Sequence, residues 1–309
     1  ADPQSLHKYT YCHADPVNAL DPSGKMSLTE QLVVTPIVNS LAMQIIDATM
    51  PSYHAPASPG VLTGLHRELA YLSDDVYANS GSPPGWKRLG LSGLWGGLGI
   101  NPNHLIMNGG MYGFYSAIYK HRSTNLYVLA FRGTQDLNDW WNNAVQGIGK
   151  TSEQYTRAMN LSTHVWDRIT AKTSKLMATG HSLGGGLATI GALRAKFKAA
   201  VFNPAGLHPN SIPKQVNLSA ANSLVTRYVV HGEMLDWLQG GSAGHILSSK
   251  GIEEHFFGLY MHALATGTGL IAPDSLGKRV DLIPNSQPTS IADRLNLHSI
   301  DSVLTASPP

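Results

Sequence analysis

The sequence predicts an α/β fold, a mostly parallel central sheet flanked by helices. Three observations carry that reading: short apolar runs bounded by turn signals, helix-period segments between them, and a glycine-rich turn, GHSLGG at 180–185, set between a strand and a helix. The strand candidates are residues 126–131, 176–179, 199–202 and 224–230, and residues 163–172 and 187–198 are the helix candidates between them.

From the beginning of the chain, residues 1–25 are dense in Tyr, Asp, Pro and Asn, a composition of short strands and turns. Ser27 and Glu30 then stand at capping-box spacing ahead of an apolar run, so a helix and a second unit are expected to start near residue 26. That run, residues 32–50, is interrupted by Thr35, Pro36, Asn39, Ser40, Gln44 and Asp47, whereas a membrane span needs about 20 mostly apolar residues. A core helix broken near Pro36 is expected, with a segment dipping into a lipid surface as the alternative. Leu69, Leu72 and Val76 lie at helical spacing in residues 66–77, and SGSPPGW at 80–86 reads as a turn or loop. The glycine-rich stretch that follows, to Gly113, carries no clear period, and no internal repeat is visible.

Composition removes several function classes. Lys and Arg total 22 against 20 Asp and Glu, a formal charge of +2, so nothing marks a nucleic-acid surface. Cys12 is the single cysteine and has no internal partner, and neither CxxC nor HExxH occurs, so no zinc site and no metal are expected. GxxxxGK[ST] is absent, which removes a phosphate loop. The first residues have neither the basic start nor the apolar core of a secretory signal, so none is expected in this chain.

The strongest chemical signal is GxSxG, here Gly180, His181, Ser182, Leu183 and Gly184. A nucleophile elbow forces a strained backbone at the serine, and small residues two before and two after let strand and helix pass closely. Ser182 is therefore the candidate nucleophile. The following helix aims its first amides at the same spot, which makes the NH of Leu183 a candidate oxyanion donor. A glycine-rich strand-to-helix turn without chemistry is the plainer alternative.

With AFRGT at 130–134, DWWNN at 139–143 and GHSLGGGLA at 180–188, the chain resembles the class 3 (fungal-type) lipases over roughly residues 65–300. The resemblance implies an α/β-hydrolase fold with a nucleophile elbow, a serine-dependent lipolytic carboxylic-ester hydrolase, and no cofactor; no residue pattern speaks to calcium. It implies Thr134 as the second oxyanion donor, although Thr134 also suits a cap for a helix near Asp136. Arg132 reads as a buried structural cation. It implies an acid after the strand at 224–230, in HGEMLDWL, where Glu233 is the first choice and Asp236 the reserve; Asp236 also suits a helix start. Of His231, His245, His255, His262 and His298, the resemblance favours His298, late in RLNLHSIDSVL, as general base, with His262 as runner-up. Trp140 and Trp141 stand where the family carries a lid, or else pack in the core, and residues 240–277 are expected to line or cover an acyl cleft.

Residues 2–24, SLHKYTY followed by ADPVNALDPSG, resemble the closing segment of the Rhs repeat core, although Lys25 stands where many members have Leu after the glycine. This implies a division into residues 1–25, the end of an Rhs-type core, and 26–309, the lipase domain. A lipase in that place resembles secreted antibacterial phospholipase effectors, which act on phospholipid at a target membrane and are neutralised by a cognate immunity protein. The alternatives are a general triacylglycerol lipase or esterase without a toxin role, and an inactive hydrolase fold used as a binding module.

Overall fold

The computed structural model describes residues 56–78, 82–106, 113–133, 153–172, 174–207, 212–214, 216–239 and 275–306. Its centre is set by LYVLAF and KLMATGH, whose apolar residues run on without alternation because helices cover both faces of these strands. They form β3 (Leu126–Phe131) and β4 (Lys175–His181), paired in parallel with Phe131 opposite Gly180. β5 (Lys198–Phe202), β6 (Val225–Val230) and β7 (Lys278–Leu282) extend the parallel side, and β2 (Ser116–His121) and β1 (Trp86–Arg88) add an antiparallel edge. The seven strands lie in chain order across the sheet. This is the α/β-hydrolase architecture, mostly parallel and helix-flanked.

One face carries α2 (Glu153–Thr170) and α3 (Leu183–Ala195), packed against Leu129, Phe131, Ala178 and Val201. The other carries α1 (Gly64–Ala78) and the C-terminal α7 (Ile300–Ala306), whose Leu69, Leu72, Val76, Val303 and Ala306 meet Val128, Ala130, Phe202 and Val230. Three shorter α-helices also lie among the described residues: α4 (Ala221–Leu224), α5 (Met234–Gln239) and α6 (Ile291–Leu297). Among the described residues no helix is long and apolar enough to cross a membrane.

Several boundaries differ from expectation, each for a local reason. Helix 187–198 instead begins at Leu183, inside the glycine run, and stops at Ala195, where Lys196 takes a left-handed φ of 62°. Helix 163–172 starts ten residues earlier, at Glu153, because its polar first turns still place Tyr155, Ala158 and Met159 inward. Leu224 ends α4 and the strand begins at Val225. Trp86, read as loop, opens β1 by pairing with His121 and donating its Nε1–H to Glu68 (2.8 Å). β1, β2 and β7 escape a periodicity search because they are short or rich in charge, and only pairing with a neighbour makes them strands.

Candidate active site

Three loops at one end of the sheet build the site, and each is held by its own hydrogen bonds. At the first, β4 ends and α3 begins within one residue, and Ser182 sits between them with φ 57° and ψ −127°. A non-glycine residue there stores strain, which surrounding contacts have to hold. They do: the Ser182 amide donates to Phe202 O (3.1 Å), and its carbonyl accepts from Gly185, Gly186 and Ala205. The turn also requires glycines, since a methyl at Gly184 would collide with the Phe131 carbonyl and one at Gly180 with the Gly184 carbonyl.

The second loop follows β6. Glu233 is 1 % exposed, and its carboxylate accepts the amides of Leu235 (2.8 Å) and Asp236 (3.0 Å). Arg294, itself buried, clamps this loop through Nη1 to Gly232 O (2.7 Å). The third loop is the corner between α6 and α7. Ser290 and Asp293 form a capping box that starts α6, and His298 closes it, donating its amide to Arg294 O and Leu295 O.

These loops bring three of the expected side chains together. His298 Nδ1 lies 2.7 Å from Glu233 Oε2, and His298 Nε2 lies 2.9 Å from Ser182 Oγ. Ser182 is 3 % exposed and His298 fully buried. A carboxylate only accepts hydrogen bonds, so in the neutral ring it selects the tautomer protonated at Nδ1. The Nε2 lone pair then faces the serine hydroxyl. This arrangement can take a proton from Oγ as it attacks a carbonyl carbon and return it to a leaving group. The Leu183 amide, first in α3, has no intrahelical acceptor to occupy it.

Asp236 is placed elsewhere. It accepts the Gly232 amide (2.8 Å) in the first turn of α5 and pairs with Arg279 (2.7 Å), so it braces the acid loop without facing the imidazole. Arg132 lies with its guanidinium 4.7 Å from the Tyr115 ring centre, as a partly buried cation with no hydrogen bond to its Nε. Thr134, Trp140, Trp141 and His262 fall outside the described residues, as do residues 1–25 and the expected helix start at Ser27 and Glu30. Among the described residues no three His, Cys, Asp or Glu side chains group as metal ligands.

A model of the Tle-like phospholipase domain matches residues 68–288, most of the chain and both Ser182 and Glu233. The chain belongs to the Tle-like phospholipase domain family. This Tle-like domain is also 31 % identical over 288 residues to the extracellular phospholipase A1 of Serratia liquefaciens, covering 84 % of this chain and 77 % of that protein. Membership makes it a lipolytic hydrolase of the phospholipase type. Among solved structures it is similar to the Rhizomucor miehei lipase–propeptide complex (13 % identity, TM-score 0.40, 65 % of this chain and 76 % of that one). It is likewise similar to the lipase of Rhizopus microsporus var. chinensis (15 % identity, TM-score 0.40, 62 % and 77 %).

Three side chains of this Tle-like domain were not singled out by the sequence. His181, inside GHSLG, is buried, and its Nε2 lies 2.6 Å from the His298 carbonyl. Tyr77 OH accepts the Gly133 amide (3.0 Å) and lies 3.4 Å from His181 Nδ1, linking α1, the exit of β3 and the elbow. Asn203 reaches the His298 carbonyl from the end of β5. Only its place, directly before Pro204 at the C-terminal end of a parallel strand, is a signal in the sequence.

Burial, with the nearby His298 adding to it, pushes His181 down from the ordinary 6.5 to about 3. His181 therefore stays neutral at physiological pH and donates from Nε2 to the His298 carbonyl. Below pH 6.5 the unfolded chain binds a proton here that the folded chain refuses, so stability falls with pH until about 3, by up to about 1.4 kcal/mol per unit. Urea midpoints at pH 7 and pH 5 are expected to separate more for the wild type than for His181→Gln. Equal separations would assign the acid sensitivity to other groups.

Proposed function

We propose that this domain is a serine-dependent phospholipase of the A type, hydrolysing a carboxylic ester of phospholipid through Ser182, His298 and Glu233. The observation that carries the reading is the continuous hydrogen-bonded line from Glu233 through His298 to Ser182. His298 takes the Ser182 proton as Oγ attacks the ester carbonyl, and Glu233 orients the ring and stabilises the imidazolium that forms. The tetrahedral oxyanion is received by the Leu183 amide and by Thr134. His298 then gives its proton to the departing glycerol oxygen, leaving an acyl-serine. Water, deprotonated by the same imidazole, releases the fatty acid and restores Ser182.

Substrate class is supported by the family itself and by the phospholipase A1 among its relatives. Motif likeness to class 3 lipases, in AFRGT and GHSLGG, supports the same acyl-transfer chemistry. The Rhs-like string at residues 2–24 supports delivery as a secreted antibacterial effector acting at a target membrane and countered by an immunity protein.

Lipid product analysis tests the reading. Vesicles of bacterial phosphatidylethanolamine and phosphatidylglycerol incubated with the wild type are expected to yield free fatty acid and lysophospholipid, and Ser182→Ala none. Release of fatty acid from triglyceride emulsions or short soluble esters, with intact phospholipid, would favour a general lipase or esterase.

A further inference from the structure

Asn203 stands at the point where the three site loops meet. It follows β5 directly, is fully buried, and holds a left-handed φ of 40°. Asn is among the few residues with a side chain that enter this region readily. Its backbone amide donates to Tyr228 O (2.8 Å), which ties the end of β5 to β6. The side chain then divides between the two neighbouring loops. Oδ1 accepts the Val230 amide (2.8 Å), at the last residue of β6 and three residues before Glu233. Nδ2 donates to Leu297 O (3.2 Å) and to His298 O (3.1 Å).

The amide orientation is dictated by its partners. Turning the group over would set an oxygen against two carbonyls and a nitrogen against an N–H, replacing three hydrogen bonds by three repulsions. One buried amide therefore uses its acceptor on the acid loop and both hydrogens on the histidine corner. The His298 carbonyl takes a second donor from His181 Nε2, so its two lone pairs are both occupied.

We infer that Asn203 is a positioning residue for the proposed reaction: it sets the separation between the strand end that carries Glu233 and the corner that carries His298, and so holds the imidazole in line with Ser182. The inference rests on the serine-hydrolase reading above. Its physical basis is that a shift of about 1 Å in a reacting group costs about 10²-fold in rate, while the ester is bound by other surfaces.

Two variants test it. Asn203→Gly keeps the left-handed backbone and removes all three side-chain bonds. It is expected to lower kcat about 10²-fold with KM within about threefold, and to slow fluorophosphonate labelling of Ser182 in proportion. The far-downfield proton resonance of the His298–Glu233 hydrogen bond, read by NMR without substrate, is expected to broaden or vanish. Asn203→Asp keeps the shape and the acceptor but turns an anionic oxygen toward the two carbonyls. Protonating that carboxyl restores one donor, so its activity relative to the wild type is expected to rise as pH falls.

A purely structural role moves none of these readouts per folded molecule. Wild-type kcat and an unchanged downfield proton in folded Asn203→Gly overturn the inference while leaving the hydrolase reading intact. A pH-independent deficit in Asn203→Asp also overturns it, as does failure of both variants to fold, which would assign Asn203 to folding. If the wild type neither reacts with fluorophosphonate nor releases fatty acid, the hydrolase reading itself fails.

Discussion

Ser182→Ala is expected to lower phospholipid turnover by about 10⁴ to 10⁶ and to abolish covalent labelling by a fluorophosphonate, with the fold retained. The size follows from what the substitution removes. The substitution removes the oxygen that stands 2.9 Å from His298 Nε2, so the variant is left with whatever oxyanion donors and substrate binding give a water molecule. The fold should survive because the strain at this position lies in the backbone, whose bonds to Phe202, Gly185, Gly186 and Ala205 do not involve the hydroxyl. Alanine does bear the cost of φ 57°, which the serine already bears. Ester cleavage by purified Ser182→Ala within tenfold of the wild type would remove this serine from the mechanism.

The next largest effects are expected at the other two members. His298→Ala removes the proposed base and should approach the loss at Ser182, since members of such a unit are grossly non-additive. Glu233→Gln is the more informative change. Its amide can donate to Nδ1, which favours the tautomer carrying hydrogen on Nε2, and that hydrogen points at the hydroxyl the ring has to deprotonate. A fall in kcat of about 10² to 10⁴ is expected, with KM little changed. Asp236→Asn serves as the comparison. Its pairing with Arg279, which also holds Asp281, and its bond to the Gly232 amide place it outside the proton path, so kcat is expected to stay within about tenfold. Should Asp236→Asn prove the more damaging of the two, the acid would have to be reassigned.

Legibility differed between the halves of the site for a physical reason. The elbow is local: Gly180, Ser182 and Gly184 form one turn, and steric rules for that turn act over five residues. The Glu233 and His298 assignments came from resemblance, and the residues themselves left Asp236 and His262 open. In the described structure Asp236 is turned away by Arg279, an ion pair between α5 and β7 that no local spacing encodes. His181 was visible as a letter in the motif, yet its bond to the His298 carbonyl depends on a residue 117 positions away.

By itself the sequence determined the central strands and the turn that presents Ser182, because apolar runs and glycine sterics act on neighbouring residues. Tertiary structure alone decided which carboxylate faces which imidazole, and that Asn203 joins their loops. Ser182 and His298 are 116 residues apart, and Glu233 and His298 65. Such partners meet only after β4, β5 and β6 align in register and α7 packs against α1, so their pairing is a property of the assembled sheet.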